Sequence, residues 1–355
     1  MKLRYWLIIL LFCMVFSTVG IAGSEELIIF TQNNDNVKTL YLSMNDGNLL
    51  KPISSGKKID IFTEANHLLY FVDHQLFEYD FQSQKGQLIA ELKDDAIYVQ
   101  FFLGETDQAF VISRSEYQIQ YYVLDFTDHQ LRRVPRPKNS NNGSSEGKKI
   151  SYDSPDGLKR ANVKYVSKGR FEITVEQIND SKYKTIWDSP KEMVVLPELP
   201  VWSPDSARIA FFGRKFTGYE GFYSLYIFDV NDRTFKTVQE QVLFKDFFDQ
   251  LSSGGFKPNW SGDSKYLLYG YLPYGSPTQN AIIKYEIGSD KKEILVNTPG
   301  ANLFPRWSPS GERVMFFSDR EGQKNQLYSI DKSGHDLRRI SPKDGFTEEA
   351  VWMQK

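Results

Sequence analysis

Past residue 23 the chain is written in short apolar runs, interrupted about every eight to twelve positions by clusters of Gly, Pro, Asn, Asp and Ser. This pattern predicts β-strands joined by tight turns almost throughout. One segment departs from it: from Leu243 to Leu251, Phe244, Phe247, Phe248 and Leu251 follow the i, i+3, i+4, i+7 spacing of an amphipathic helical turn. The strands are also self-similar. Trp307-Ser308-Pro309-Ser310-Gly311 recurs as Trp202-Ser203-Pro204-Asp205-Ser206 and Trp260-Ser261-Gly262-Asp263-Ser264, and in degenerate form as Asp153-Ser154-Pro155-Asp156-Gly157. Each Trp copy precedes a short apolar strand, Ile209 to Phe212, Tyr266 to Tyr269 and Val314 to Phe317. Third strands ending in Asp before a polar hairpin run from Leu76 to Asp80, Tyr121 to Asp125, Leu225 to Asp229 and Leu327 to Asp331. Fourth strands follow, as at Thr234 to Val238 and Asp336 to Ile340.

Four antiparallel strands in a repeat of about 40 to 50 residues make one blade of a β-propeller. Aligned first-strand positions fall at Phe62, Phe102, Asp153, Trp202, Trp260, Trp307 and Trp352. Seven units give about 47 residues each, whereas six would need about 55. The fold class is therefore all-β, a β-propeller with seven four-stranded blades favoured and six the alternative. Leu27 to Thr31, Thr39 to Met44 and Leu49 to Ile53 read as second, third and fourth strands lacking a first, and Ala350-Val351-Trp352-Met353 reads as a first strand with nothing after it. Pairing the two ends completes the first blade and removes two open sheet edges. Trp202, Trp260, Trp307 and Trp352 are expected to supply buried area between blades, and the Ser-Pro-Asp-Gly turn to use Pro to fix φ and Gly to accept a positive φ.

Residues 1–23 are of another kind. Lys2 and Arg4 precede an apolar run from Tyr5 to Gly23 that exits through Gly20, Ala22, Gly23 and Ser24. That is the pattern of a secretory signal peptide; uncleaved, the run is just long enough to serve as an N-terminal membrane anchor. Bulky Phe12 before Cys13 speaks against lipid attachment there. Residues 24–355 read as one propeller domain, in which the apolar-free stretch 138–149 is expected to be a flexible loop. Cys13 is the only cysteine, so the domain has no disulfide and no Cys-bound metal. Without Lys2 and Arg4 the formal charge moves from −2 to about −4. With no clustered Lys and Arg, the composition speaks against nucleic acid or an anionic membrane surface as partner.

The last repeat, from Phe304-Pro305-Arg306-Trp307-Ser308-Pro309-Ser310-Gly311 through Phe317-Ser318-Asp319-Arg320-Glu321-Gly322 to Leu327-Tyr328, resembles the WD-like propeller repeat of the TolB-like family almost position by position. The clear match runs roughly from Pro200 to Met353. The resemblance implies an exported, envelope or periplasmic protein whose propeller serves binding and not chemistry. It is confined to the propeller, because the family's Tol-system member carries an α/β domain before its first blade, where strand sequence here starts at Leu27. Fold similarity alone does not carry the Tol role over.

Candidate chemistry is sparse. No hydrolase-type nucleophile elbow, a Gly-x-Ser-x-Gly turn set between a strand and a helix, is expected, and the chain ends on the closing strand, so no appended peptidase domain is expected. His67, His74, His129 and His335 fall in predicted hairpin turns without ligand spacing, and Asp205, Asp263 and Asp319 sit singly in separate turns without the oxygen cluster calcium needs. No catalytic residue, metal or cofactor is expected. Propeller lyases with a similar repeat bind a metal through channel-face histidines, which keeps a carbohydrate-binding or carbohydrate-cleaving role as the alternative. The leading expectation is a non-enzymatic binding scaffold for a protein or peptide, acting through its loop face or central channel. Its candidate surface is an aromatic sector on two long second-to-third-strand connections, Arg214 to Phe222 with Phe216 and Tyr219, and Tyr271 to Gln279 with Tyr274, joined by Phe247 and Phe248 of the helical segment.

Overall fold

This computed structural model describes residues 25–354 except 65–66, 93–95, 103–106, 115–118, 136–148, 168–169, 180–181, 192, 196–199, 216–221, 245–256, 273–279 and 323. The strands are β1 (Glu26–Asn34), β2 (Val37–Met44), β3 (Leu50–Gly56), β4 (Ile59–Glu64), β5 (His67–Val72), β6 (Gln75–Asp80) and β7 (Lys85–Glu91). Then come β8 (Ala96–Phe102), β9 (Gln108–Arg114), β10 (Ile119–Asp125), β11 (Gln130–Val134), β12 (Lys149–Asp153), β13 (Lys159–Ser167), β14 (Arg170–Asn179) and β15 (Lys182–Asp188). The remainder are β16 (Met193–Val195), β17 (Val201–Trp202), β18 (Arg208–Lys215), β19 (Phe222–Asp229), β20 (Thr234–Phe244), β21 (Asn259–Trp260), β22 (Tyr266–Tyr271), β23 (Ala281–Glu286), β24 (Lys292–Val296), β25 (Asn302–Trp307), β26 (Arg313–Ser318), β27 (Gln326–Asp331), β28 (Arg338–Arg339) and β29 (Phe346–Gln354).

These strands form seven antiparallel sheets. The first has the order β29-β1-β2-β3; the second, third and fourth are β4 to β7, β8 to β11 and β12 to β15. In the fifth, β18-β19-β20 carry two inner pieces, β16 and β17, both paired to β18; the sixth and seventh are β21 to β24 and β25 to β28. Buried clusters lie between consecutive sheets. Leu40 and Tyr70 meet between the first and second, Phe71 and Val111 between the second and third, Val163 and Phe211 between the fourth and fifth. Phe212 and Tyr269 join the fifth to the sixth, Leu268 and Phe316 the sixth to the seventh, and Phe30 and Phe317 the seventh back to the first. Meander sheets packed face to face in sequence, with the last returning to the first, are the β-propeller fold.

Closure uses the chain ends. β29 pairs antiparallel with β1, Leu27 opposite Met353 and Phe30 opposite Ala350, so the orphan first strand completes the first sheet. Two expectations need correction. Lys149, assigned to the polar loop, already pairs with Lys164 in β12; residues 138–148 lie outside the described residues. The fourth strand expected from Asp336 to Ile340 shrinks to Arg338–Arg339, because Asp336 takes a positive φ and its carboxylate binds Arg313 and Arg338. The predicted segment 1–23 also lies outside the described residues.

The repeated turns are built from side-chain hydrogen bonds. The Lys159, Arg208, Tyr266 and Arg313 amides donate to the Ser154, Ser203, Ser261 and Ser308 hydroxyls. Positive φ falls where Gly was expected, at Gly157 and Gly311, but also at Ser206 and Ser264. A serine tolerates that strain here because its hydroxyl has a use: Asp156 N–H donates to Ser206 Oγ and Asp205 N–H to Ser264 Oγ, each at 3.0 Å, linking the turn of one sheet to the next. At the seam, Ser310 N–H donates to Glu26 Oε1 at 2.6 Å. The tryptophans follow a similar rule. Indole N–H groups of Trp202, Trp260 and Trp352 donate to the carbonyls of Tyr152, Val201 and Arg306 in the preceding sheet. Trp307 breaks it: its buried indole N–H has no partner among the described residues, while its main-chain N–H donates to Asn259 Oδ1 at 2.8 Å.

Candidate functional site

The expected aromatic sector begins in regular strand. Arg214 stands in β18 opposite Val194, its guanidinium 5.7 Å from the Tyr223 ring centre. Phe222 opens β19 opposite Phe244, and Tyr271 closes β22 opposite Ala281 while packing against the cluster that holds Trp260 and Tyr269. These three are strand residues and not loop residues, since the ladders on both sides of each hairpin extend further than the turn residues alone imply. Leu243 and Phe244 are likewise held extended in β20 by pairing with Tyr223 and Phe222, so no helical turn starts there. Phe216, Tyr219, Phe247, Phe248 and Tyr274 lie outside the described residues. The described parts of the sector are joined where Leu272 N–H donates to Val242 O at 3.1 Å.

The turn aspartates are committed locally. Asp205 accepts from the Ser203 hydroxyl and Ala207 N–H, Asp263 from the Ser261 hydroxyl and Lys265 N–H, and Asp319 from Ala301 N–H. Among the described residues, no group of three His, Cys, Asp or Glu side chains is arranged to hold a metal.

One histidine differs from expectation. His67 is not in a turn but opens β5, and it converges with His129 from the third sheet on one carboxylate. Glu78 Oε1 lies 3.2 Å from His67 Nδ1 and Oε2 lies 2.6 Å from His129 Nδ1, and the His67 ring stacks on Phe126. Burial pushes the Glu78 carboxyl up, but the two imidazole hydrogen bonds outweigh it and hold the group below the ordinary range. A carboxyl lowered in the folded state stabilises above its unfolded pKa, and that contribution is lost as pH falls through the folded value. Glu78→Gln should cost about 1–3 kcal/mol at neutral pH, with the gap to wild type closing in acid. Urea titrations across pH read this directly, and a gap that widens in acid contradicts it.

Concave features among the described residues include a cavity and a cleft. Inner strands β25, β29 and β4 border a cavity of about 440 Å³, lined by Asp60, Arg306 and Glu349 together with Phe304 and Phe317. A second cleft of about 360 Å³ lies between the turns of the sixth and seventh sheets, beside Tyr266, Trp307, Asp263, Ser310 and Glu312. Sequence reasoning passed over the first, although a signal existed. The position before each aligned first-strand residue reads Ile61, Phe101, Tyr152, Val201, Asn259, Arg306 and Val351, so Arg306 is the one charge in that column.

No family model matches the chain, and no curated protein matches it. Similar solved structures include TolB from Acinetobacter baumannii, 15% identical, covering 93% of this chain and 83% of that one at a TM-score of 0.46. Oligogalacturonate lyase from Vibrio parahaemolyticus is 11% identical over 89% of this chain and 85% of that one, with a TM-score of 0.48. Dipeptidyl peptidase 4 from Porphyromonas gingivalis is 14% identical over 80% of this chain and 46% of that one, with a TM-score of 0.45. A Tol protein, a lyase and a peptidase stand side by side in this set, so the likeness selects no activity.

Proposed function

We propose that the protein is a non-enzymatic binding scaffold of TolB-like type, a single propeller domain over residues 24–355, exported to the cell envelope, that engages a protein or peptide partner. The observation that carries this reading is the cavity bordered by β25, β29 and β4, a polar recess with aromatic walls set among the inner strands of a closed ring. A rigid ring presents such a recess without reorganisation on binding, which favours recognition. The aromatic sector of Arg214, Phe216, Tyr219, Phe222, Phe247, Phe248, Tyr271 and Tyr274 is proposed as the outer part of the partner surface. Residues 1–23 act as the export signal, or as the anchor where uncleaved. Among the described residues no helix is long and apolar enough to cross a membrane.

The test is cross-linked affinity capture from the native envelope with the wild-type protein and with a quadruple variant, Arg214→Ala, Tyr219→Ala, Tyr271→Ala and Tyr274→Ala. A specific protein recovered by the folded wild type and reduced at least about tenfold with the folded variant supports the sector; equal recovery removes it. A carbohydrate reading retains one supporting observation, the cleft beside Tyr266 and Trp307 with Ser310, Asp263 and Glu312 at its edge. Saturable glycan binding lost on Tyr266→Ala favours that alternative.

A further inference from the structure

The turn between first and second strands repeats from the fourth sheet to the seventh, and one seam between these turns departs from the others. From the fourth sheet to the fifth, and from the fifth to the sixth, the N–H of the fourth turn residue donates to the hydroxyl of the fifth residue in the next turn, Asp156 to Ser206 and Asp205 to Ser264, each at 3.0 Å. At the next seam the donor is Asp263 and the fifth residue is Gly311, which has no side chain. The Asp263 N–H accordingly forms no hydrogen bond among the described residues. The third turn position shows a similar loss: it is proline at Pro155, Pro204 and Pro309, and glycine only at Gly262. Neither glycine is demanded by its surroundings. Gly262 takes no positive φ, and a Cβ there would stand 3.7 Å from Pro309 O. Gly311 has a φ of 74°, but Ser206 and Ser264 hold 58° and 59° at the same place, and a Cβ on Gly311 would meet nothing within 4 Å. Both glycines border the cleft of about 360 Å³ between the sixth and seventh sheets. Two side chains that the repeat supplies elsewhere are thus missing from opposite walls of one cleft.

We propose that this cleft binds a neutral saccharide, one of whose hydroxyls accepts from the Asp263 N–H in the place that the Ser206 and Ser264 hydroxyls fill at the neighbouring seams. The inference rests on the carbohydrate reading of the cleft and adds the groups that select the ligand; the protein-partner reading does not depend on it. Charge decides the class. Two carboxylates on the lining, Asp263 and Glu312, stand against two ammonium groups, Lys284 and Lys332. Lys332 pairs with Glu312 at 2.8 Å and Lys284 with Glu293 at 2.7 Å, while Asp263 accepts from the Ser261 hydroxyl and the Lys265 N–H. An ionic ligand gains nothing from such a balanced wall. A sugar ring, apolar on its face and hydroxylated at its edge, matches an open donor set beside Tyr266 and Trp307.

Calorimetry and tryptophan fluorescence on the full chain test this, with maltose, cellobiose, lactose and N,N′-diacetylchitobiose as probes and digalacturonate as the charged comparison. At least one neutral disaccharide is expected to bind saturably with a Kd of about 1 mM or tighter and to shift the Asp263 amide resonance. G311S returns the hydroxyl that the neighbouring seams carry, and G262P returns the proline. Each should lose about tenfold in affinity while keeping the wild-type far-UV dichroism. No binding of any neutral probe up to about 10 mM overturns the proposal together with the carbohydrate reading. Binding undiminished in both variants, or an Asp263 resonance that does not move, puts the sugar elsewhere and overturns the proposal alone. Tighter binding of digalacturonate than of every neutral probe also overturns it. Should one variant fail to fold, the other and the Asp263 resonance decide the matter.

Discussion

Deletion of residues 346–355 should abolish the cooperative unfolding transition of the propeller. β29 is the inner strand of the first sheet, with pairs running from Glu26–Gln354 to Asn33–Phe346. Its side chains serve two clusters at once. Met353 packs between the first and second sheets, Ala350 and Trp352 between the seventh and first, and all the apolar residues of β1 from Leu27 to Phe30 are buried beneath this seam. Removing one large buried apolar side chain costs about 2–5 kcal/mol. The deletion removes several, exposes the backbone edge of β1 and takes the Trp352 indole from the Arg306 carbonyl. The sum approaches the whole stability of a domain, roughly 5–15 kcal/mol. Far-UV dichroism and tryptophan fluorescence in urea check it: a truncated chain with the wild-type midpoint contradicts ring closure as a source of stability. Ala350→Asp, which buries a carboxylate at the same seam, should cost several kcal/mol without shortening the chain. Recovery of the transition on adding the peptide 346–355 in trans ties the loss to strand pairing.

That closing strand was legible because two incomplete patterns, a first strand without followers and three followers without a first, complement each other. The same logic located β6, β10, β19 and β27, whose terminal Asp before a polar hairpin recurs in sequence. Local rules alone gave the turn geometry as well, apart from Ser206 and Ser264, where a contact about fifty residues away justifies the positive φ. The split inner edge of the fifth sheet was missed, since Met193–Val195 has no aromatic marker and is recognisable only by its pairing with Val195 opposite Gly213.

The candidate site was less legible, for a physical reason. Periodicity reports which face of a strand is buried, but not which side chains from different sheets end up against one another. His67 and Glu78 lie on neighbouring strands of one sheet, β5 and β6, but His129 is 51 residues from Glu78 and reaches it only because the β10–β11 turn lies beside them across a sheet boundary. The segment with helical spacing begins in strand, because β20 continues through Phe244 in cross-strand pairing with Phe222 and Tyr223, and its remainder, 245–251, lies outside the described residues. Arg306 and Glu349 look like ordinary polar positions until inner strands are brought around a common axis. Aligning the repeats by column, and not only along the chain, picks out Arg306 as a charge where its counterparts are neutral.

Trp260→Ala should lower stability by about 3–5 kcal/mol, the cost of emptying a large buried aromatic site. Trp260 is 5% exposed, packs with Ala210, Phe212, Leu267 and Tyr269, and donates its indole N–H to Val201 O at 3.1 Å. Trp307 is buried to a similar extent, at 7%, so truncation to Ala should cost a comparable amount. Substitution by Phe separates packing from hydrogen bonding. Trp260→Phe loses ring volume and withdraws a donor from the Val201 carbonyl. Trp307→Phe loses the same volume but removes an N–H that is buried without a partner, and leaving such a group unsatisfied carries about 1–3 kcal/mol of desolvation penalty. Trp307→Phe should therefore be the milder change by about 1 kcal/mol or more, with Trp202→Phe resembling Trp260→Phe because Trp202 donates to Tyr152 O at 2.9 Å. The reason for the difference lies one sheet away. The indoles of Trp202, Trp260 and Trp352 meet a main-chain carbonyl of the preceding sheet, whereas Trp307 reaches that sheet through its main-chain N–H, which donates to Asn259 Oδ1. Urea midpoints of the three Phe variants at constant slope measure the ordering, and a Trp307→Phe variant less stable than the other two contradicts the account.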